Sequence, residues 1–128
     1  MTEDRSQDWL RQAKNDLKFA RVALEGGFYS QTCFICQQAA EKAMKATLYS
    51  KGAKAVITHS LRKLCEELGV NLKLIAAAKV LDQYYLSGRY PDALPDGAPF
   101  ETFTETQARD AFRDAKLFIA HAVRWMKS

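Results

Sequence analysis

The 128 residues carry 19 Lys and Arg against 15 Asp and Glu, a formal net charge of +4, and 48% of them are hydrophobic. Those proportions exclude a disordered chain, and the length suffices to bury a core without disulfide or metal staples, so one domain over residues 1–128 is expected. No stretch reaches the roughly 18 apolar residues of a membrane span, and the polar start Met1–Asp8 lacks the apolar segment of a secretion signal.

Three cysteines, an odd number, point to free thiols in a reducing, cytoplasmic compartment rather than a disulfide framework. Lys and Arg are interleaved with acids, and no run of five or six marks a nucleic-acid arm. The charge therefore reads first as a solvated surface, although a positive patch can still assemble in three dimensions.

In chain order, Trp9, Ala13, Leu17, Ala20 and Leu24 recur at steps of three and four, which predicts a helix over about Ser6–Glu25, ended by Gly26-Gly27. A second helix is predicted over about Ser30–Ser50. Cys33, Phe34, Ile35, Cys36, Ala39, Ala40, Ala43, Met44, Ala46 and Leu48 make it apolar over far more than one stripe, so it lies at the centre of a bundle or faces a second protein. Among its polar residues, Glu41 and Lys45 have the spacing of a helical ion pair, worth about 0.2–0.5 kcal/mol on a surface.

A short loop leads to a third helix, about Ser60–Leu68, with Leu61, Leu64, Cys65 and Leu68 on its apolar face and Gly69 at its end. Asn71 is placed to cap a fourth, about Leu72–Leu86. Ser87–Phe103 then holds all three prolines, and a connection of this length is more often functional than a short one. Thr104 and Gln107 have the spacing of a capping box at the head of a last helix, about Glu105–Met126, striped by Ala108, Phe112, Ala115, Ile119, Ala122 and Met126. Nothing alternates like a strand. The expected fold is all-α, an antiparallel up-and-down bundle of about five helices, and two helices with excess apolar surface suggest a homodimer.

Cys33 and Cys36 form a CxxC, but the other possible ligands, Cys65, His59 and His121, are scattered, so buried thiols are the better reading and no metal or cofactor is expected. His59 reads as a residue bonding a loop or cap, and His121 as a packed or interface side chain. The richest cluster is Arg89, Tyr90 and Asp92, opening the long loop just after Asp82, Tyr84 and Tyr85. An Arg fork, tyrosine faces and acids suit a phosphate, a base or a carboxylate, while the structural alternative pairs Arg89 with Asp82 or Asp92.

Four segments then carry a resemblance: Trp9-Leu10 with Ala13 and Asp16-Leu17; CFICQQAAEKAMKATL from Cys33 to Leu48; His59-Ser60-Leu61; and LDQYYLSGRYPDALPDGAP from Leu81 to Pro99. Together they resemble the HEPN domain over nearly the whole chain. The resemblance implies an antiparallel helical bundle, usually a homodimer, often working beside a minimal nucleotidyltransferase in a two-component, toxin–antitoxin-like system. Some HEPN proteins are ribonuclease toxins that use an Arg, four to six residues and a His. Here that His would fall at Leu94, Pro95 or Asp96, and the later pair, Arg113 and His121, has seven residues between.

The expected function is therefore a non-catalytic subunit that dimerises, partners a minimal nucleotidyltransferase and binds a nucleotide, RNA or larger substrate, with Arg89, Tyr90, Asp92, Asp82 and Tyr85 as its ligand-binding residues. The alternatives are a metal-independent ribonuclease toxin using Arg89 or Arg113 with His121, or a purely structural interaction module.

Overall fold

The computed structural model describes residues 4–127, and every regular element among them is helical. Helices α1 (Ser6–Glu25) and α2 (Tyr29–Ser50) form an antiparallel hairpin. Their turn needs a left-handed residue, supplied by Gly27 at φ 83°. Helix α3 (Leu61–Leu68) ends on Gly69, also left-handed, and α4 (Leu72–Asp82) begins under Asn71, whose side chain accepts from the Leu74 N–H at 2.9 Å. Helix α7 (Glu105–Lys127) starts with the expected capping box: Gln107 N–H donates to Thr104 Oγ1 and Thr104 N–H to Gln107 Oε1.

The structure differs from the sequence expectation in two places. The single helix expected over Leu72–Leu86 is broken at Gln83 into α4 and a short α5 (Tyr84–Ser87). The break lets Tyr84 turn inward onto Phe103 while Tyr85 faces the other way, toward Phe34 and His59. The proline-rich stretch is not featureless: Pro91–Ala93 is a 3₁₀ turn and Pro99–Thr102 forms α6, each with proline at its first position, where the missing N–H leaves no bond unmade.

Helix α2 is central. It packs against α1, α3, α4, α5, α6 and α7, which accounts for its apolar surface within this chain. Ala39, Ala40, Ala43 and Ala46 are fully buried there, and their small side chains let α1 and α7 approach closely. Phe118, Met44, Leu61, Leu64 and Leu81 fill the space between the layers. No helix among the described residues is long and apolar enough to cross a membrane.

One finding runs against the pattern of α2. Gln37, Glu41 and Lys45, one turn apart, are buried rather than solvated. The Glu41 and Lys45 side chains are only 4% and 5% exposed, with Lys45 Nζ 3.1 Å from Glu41 Oε2. The reason is that α1, α3 and α4 cover the side of α2 that carries these three residues.

Candidate functional site

The site grows out of the junction between α5 and the proline-rich segment. Tyr90 precedes Pro91, whose ring disfavours helical backbone before it, and Tyr90 is extended at φ −121°, ψ 129°. The helix therefore stops at Ser87–Gly88, leaving Arg89 and Tyr90 at its frayed end, with both N–H groups still bonded to Leu86 O. Gly88 is what brings this end against α2: a Cβ there would lie 2.9 Å from Tyr84 O and 3.0 Å from both Ser30 O and Phe34 Cβ.

Arg89 is exposed, yet it is held. Its Nε donates to Tyr85 O at 3.0 Å, and its guanidinium carbon lies 4.2 Å from the centroid of Phe34, 4.8 Å from Tyr85 and 4.9 Å from Tyr90. Cation–aromatic contacts of this kind contribute about 0.5–1 kcal/mol each at an exposed site. Among the described residues no carboxylate forms an ion pair with Arg89, and its two terminal nitrogens carry no hydrogen bond. The pairing of Arg89 with Asp82 or Asp92 does not occur.

Asp82 is engaged elsewhere. It accepts from the Leu61 and Arg62 N–H groups at 2.8 and 2.9 Å, capping the positive end of α3, and from Ser60 Oγ and Gln37 Nε2 at 3.4 and 3.3 Å. Its part in the site is to fix the loop that carries His59. Asp92 lies exposed in the 3₁₀ turn, and Tyr85 forms the middle of the cluster.

His59 is the residue the sequence reading left out of the site. Its ring stacks on Tyr85 at 5.0 Å between centroids, so the imidazole and the Arg89 guanidinium share one tyrosine. His59 Nδ1 faces Glu41 Oε2 at 3.4 Å, with the imidazole side chain 59% exposed. A carboxylate accepts only, so the ring meets it by donating from Nδ1, the tautomer in which Nε2 is an acceptor. The Glu41 carboxylate is itself fixed by Lys45 and by Gln37 Nε2 at 3.3 Å. A signal was present in the sequence, since His59 stands immediately before the α3 cap and Glu41 one turn from Gln37, but their meeting depends on a loop docking across α2.

Arg113 and His121 are not brought together. Eight residues along one helix set them about 12 Å apart along its axis. Arg113 is held by Asp110 at 3.2 Å and Asp114 at 3.4 Å. His121 is buried beside Trp125, and burial together with Arg124 and Lys51 pushes its pKa below the ordinary histidine value. The thiols are buried as well: desolvation pushes Cys33 and Cys65 up to about 12 and raises Cys36 further. Among the described residues no three His, Cys, Asp or Glu converge as metal ligands. A cavity of about 510 Å³ lies between Trp9 and Tyr49, but Tyr49 is 15 residues along α2 from Phe34, about 22 Å, so the Arg89 surface is separate from it.

The HEPN domain family profile matches residues 6–125. The chain belongs to the HEPN domain family. Three solved structures share its fold over nearly its whole length. The protein TT1696 of Thermus thermophilus is 38% identical, covers 96% of this chain and 99% of its own, and superposes with a TM-score of 0.90. ST0689, described as an archaeal HEPN homologue, is 35% identical, with coverages of 97% and 99% and a TM-score of 0.85. The HEPN domain protein tm0613 of Thermotoga maritima is 33% identical, with coverages of 91% and 95% and a TM-score of 0.72. A protein of Methanocaldococcus jannaschii named "Putative toxin MJ1304" is 27% identical over 120 residues, 84% of this chain and 79% of its own length. In this HEPN domain the Arg89 cluster lies wholly within the matched region.

Proposed function

We propose that this HEPN domain is the toxin-like member of a two-component pair, that it dimerises and partners a minimal nucleotidyltransferase, and that it binds nucleotide or RNA phosphate at Arg89. The observation that carries the reading is the exposed Arg89 guanidinium, oriented by three aromatic rings with no carboxylate to neutralise it. Held this way, its free nitrogens are preorganised for a phosphate, and Tyr90, half exposed beside it, offers a face to a base. The toxin-named relative supports the two-component setting.

Fluorescence titration with a labelled mononucleotide tests the site. Arg89→Ala is expected to weaken binding roughly ten- to a hundredfold, the loss of a charged hydrogen bond. Arg89→Lys, which keeps the charge but not the fork, is expected to fall between. Unchanged affinity in a folded Arg89→Ala protein refutes the reading. Copurification with a nucleotidyltransferase tests the partnership.

A second reading is favoured by the Glu41–His59 contact. A neutral imidazole oriented by a buried carboxylate can take the proton of an RNA 2′-hydroxyl at Nε2 as O2′ attacks phosphorus. The P–O5′ bond then breaks, leaving a 2′,3′-cyclic phosphate and a 5′-hydroxyl that recovers the proton, with Arg89 facing the phosphoryl oxygens. Cleavage of RNA in chelator that disappears in His59→Ala would carry this reading. RNA left intact by wild-type protein at high concentration sinks it.

A further inference from the structure

The cavity at the far end of α2, about 510 Å³ in volume, takes no part in the Arg89 site. Its size falls within the range of about 300–1,000 Å³ typical of small-molecule sites. Two aromatic rings wall it, Trp9 of α1 and Tyr49 of α2, each half-buried, with centroids 5.5 Å apart and planes inclined by 37°. Rings set at this angle offer a third flat ring offset or edge-to-face contact. Both are held before any ligand arrives. The Tyr49 hydroxyl accepts from the Val56 N–H at 3.1 Å, which ties the ring to the loop after α2. Lys45 Nζ, itself buried, lies 5.6 Å from the Trp9 ring centroid. The lip is made of short residues, Ala53 and Gly52, the latter left-handed at φ 99°, where a Cβ would meet nothing within 4 Å.

Charge selects the ligand. The Lys45 ammonium already meets the Trp9 ring as a cation, so a second cation there is repelled. Asp4 and Arg5 also line the cavity, but both are engaged: Asp4 accepts from the Ser6 N–H at 2.8 Å and Arg5 pairs with Asp8. Lys54, exposed at the lip, forms no ion pair among the described residues. One ammonium matches one negative charge. A phosphate monoester brings about −1.5 to −2 at pH 7, too much for a lip that also carries Asp4.

We propose that this cavity binds a small aromatic carboxylate, its ring packed on Trp9 and Tyr49 and its carboxylate facing Lys54. The rings supply most of the affinity, because the pairing with an exposed lysine is screened by water. The site shares no residue with the Arg89 cluster.

The experiment titrates 2-naphthoate into nitrogen-15-labelled protein and follows the indole N–H signals by NMR. The chain has two tryptophans, Trp9 and Trp125, and Trp125 does not line the cavity. The Trp9 signal is expected to shift saturably, with Trp125 as the internal reference. The neutral 2-naphthamide is expected to bind about threefold more weakly, the worth of an exposed ion pair. Lys54→Ala is expected to bring 2-naphthoate down to that level and to leave 2-naphthamide unchanged. Ala53→Leu, which fills the lip, is expected to weaken both ligands about tenfold by displacing the ring from its aromatic contacts. Arg89→Ala is expected to leave both affinities unchanged, so failure here is distinct from failure of the Arg89 reading. A Trp9 indole that does not respond overturns the site. Equal wild-type affinity for 2-naphthoate and 2-naphthamide overturns the carboxylate. Adenosine monophosphate that binds the cavity more tightly than 2-naphthoate assigns it to a nucleotide and overturns the proposal as well.

Discussion

Removing the Glu41 carboxylate is the sharpest perturbation the structure offers. Glu41 is met by Lys45 Nζ at 3.1 Å, Gln37 Nε2 at 3.3 Å and His59 Nδ1 at 3.4 Å. Glu41→Leu fits the volume but strands the Lys45 ammonium, which is 5% exposed. An uncompensated buried charge of this kind costs about 3–5 kcal/mol. Lys45→Met strands the carboxylate instead, which keeps Gln37 Nε2 and the exposed His59 ring beside it, so the penalty is expected to be smaller. The double variant Glu41→Leu/Lys45→Met leaves neither charge, and Gln37 Nε2 keeps His59 O and Asp82 as acceptors. It is expected within about 1 kcal/mol of wild type, or above it. Urea unfolding followed by circular dichroism gives all four corners of the cycle. A Glu41→Leu cost below about 1 kcal/mol would refute the claim that the pair is buried and coupled.

Three further outcomes are expected. Gly88→Ala forces a methyl against Tyr84 O, Ser30 O and Phe34, so it is expected to destabilise by about 1–3 kcal/mol and, by lifting α5 from α2, to weaken nucleotide binding; denaturant melts with nucleotide titration check both. His121 has a folded pKa below its unfolded value, so as pH falls through about 6.5 the unfolded chain takes the proton first and stability is lost. Relative to wild type, His121→Leu is expected to lose less stability between pH 7 and pH 5 in the same melts. With their thiols pushed up to about 12, Cys33 and Cys65 are expected to resist alkylation at pH 8 until urea unfolds the chain, which mass spectrometry reads directly.

Local chemistry alone determined much of this protein. The spacing of Trp9, Ala13, Leu17, Ala20 and Leu24, the glycines at 27 and 69, the Asn71 cap and the Thr104–Gln107 box specify helices and their ends through interactions within a few residues, which one chain segment displays. The Arg89–Tyr90–Pro91 junction belongs here too, since proline restricts its neighbour whatever the surroundings. What only the tertiary structure decided is which groups are desolvated and which distant groups meet. Glu41 and Lys45 look like a surface pair because helical spacing is the same inside and outside a bundle; burial came from α1, α3 and α4 closing on α2. Asp82 looks like a ligand group until its carboxylate is found on the N–H groups at the start of α3, far back along the chain. His59 joins the site only because the loop before α3 docks over Tyr85. Such pairings arise from packing between elements, a free-energy balance that no local spacing encodes.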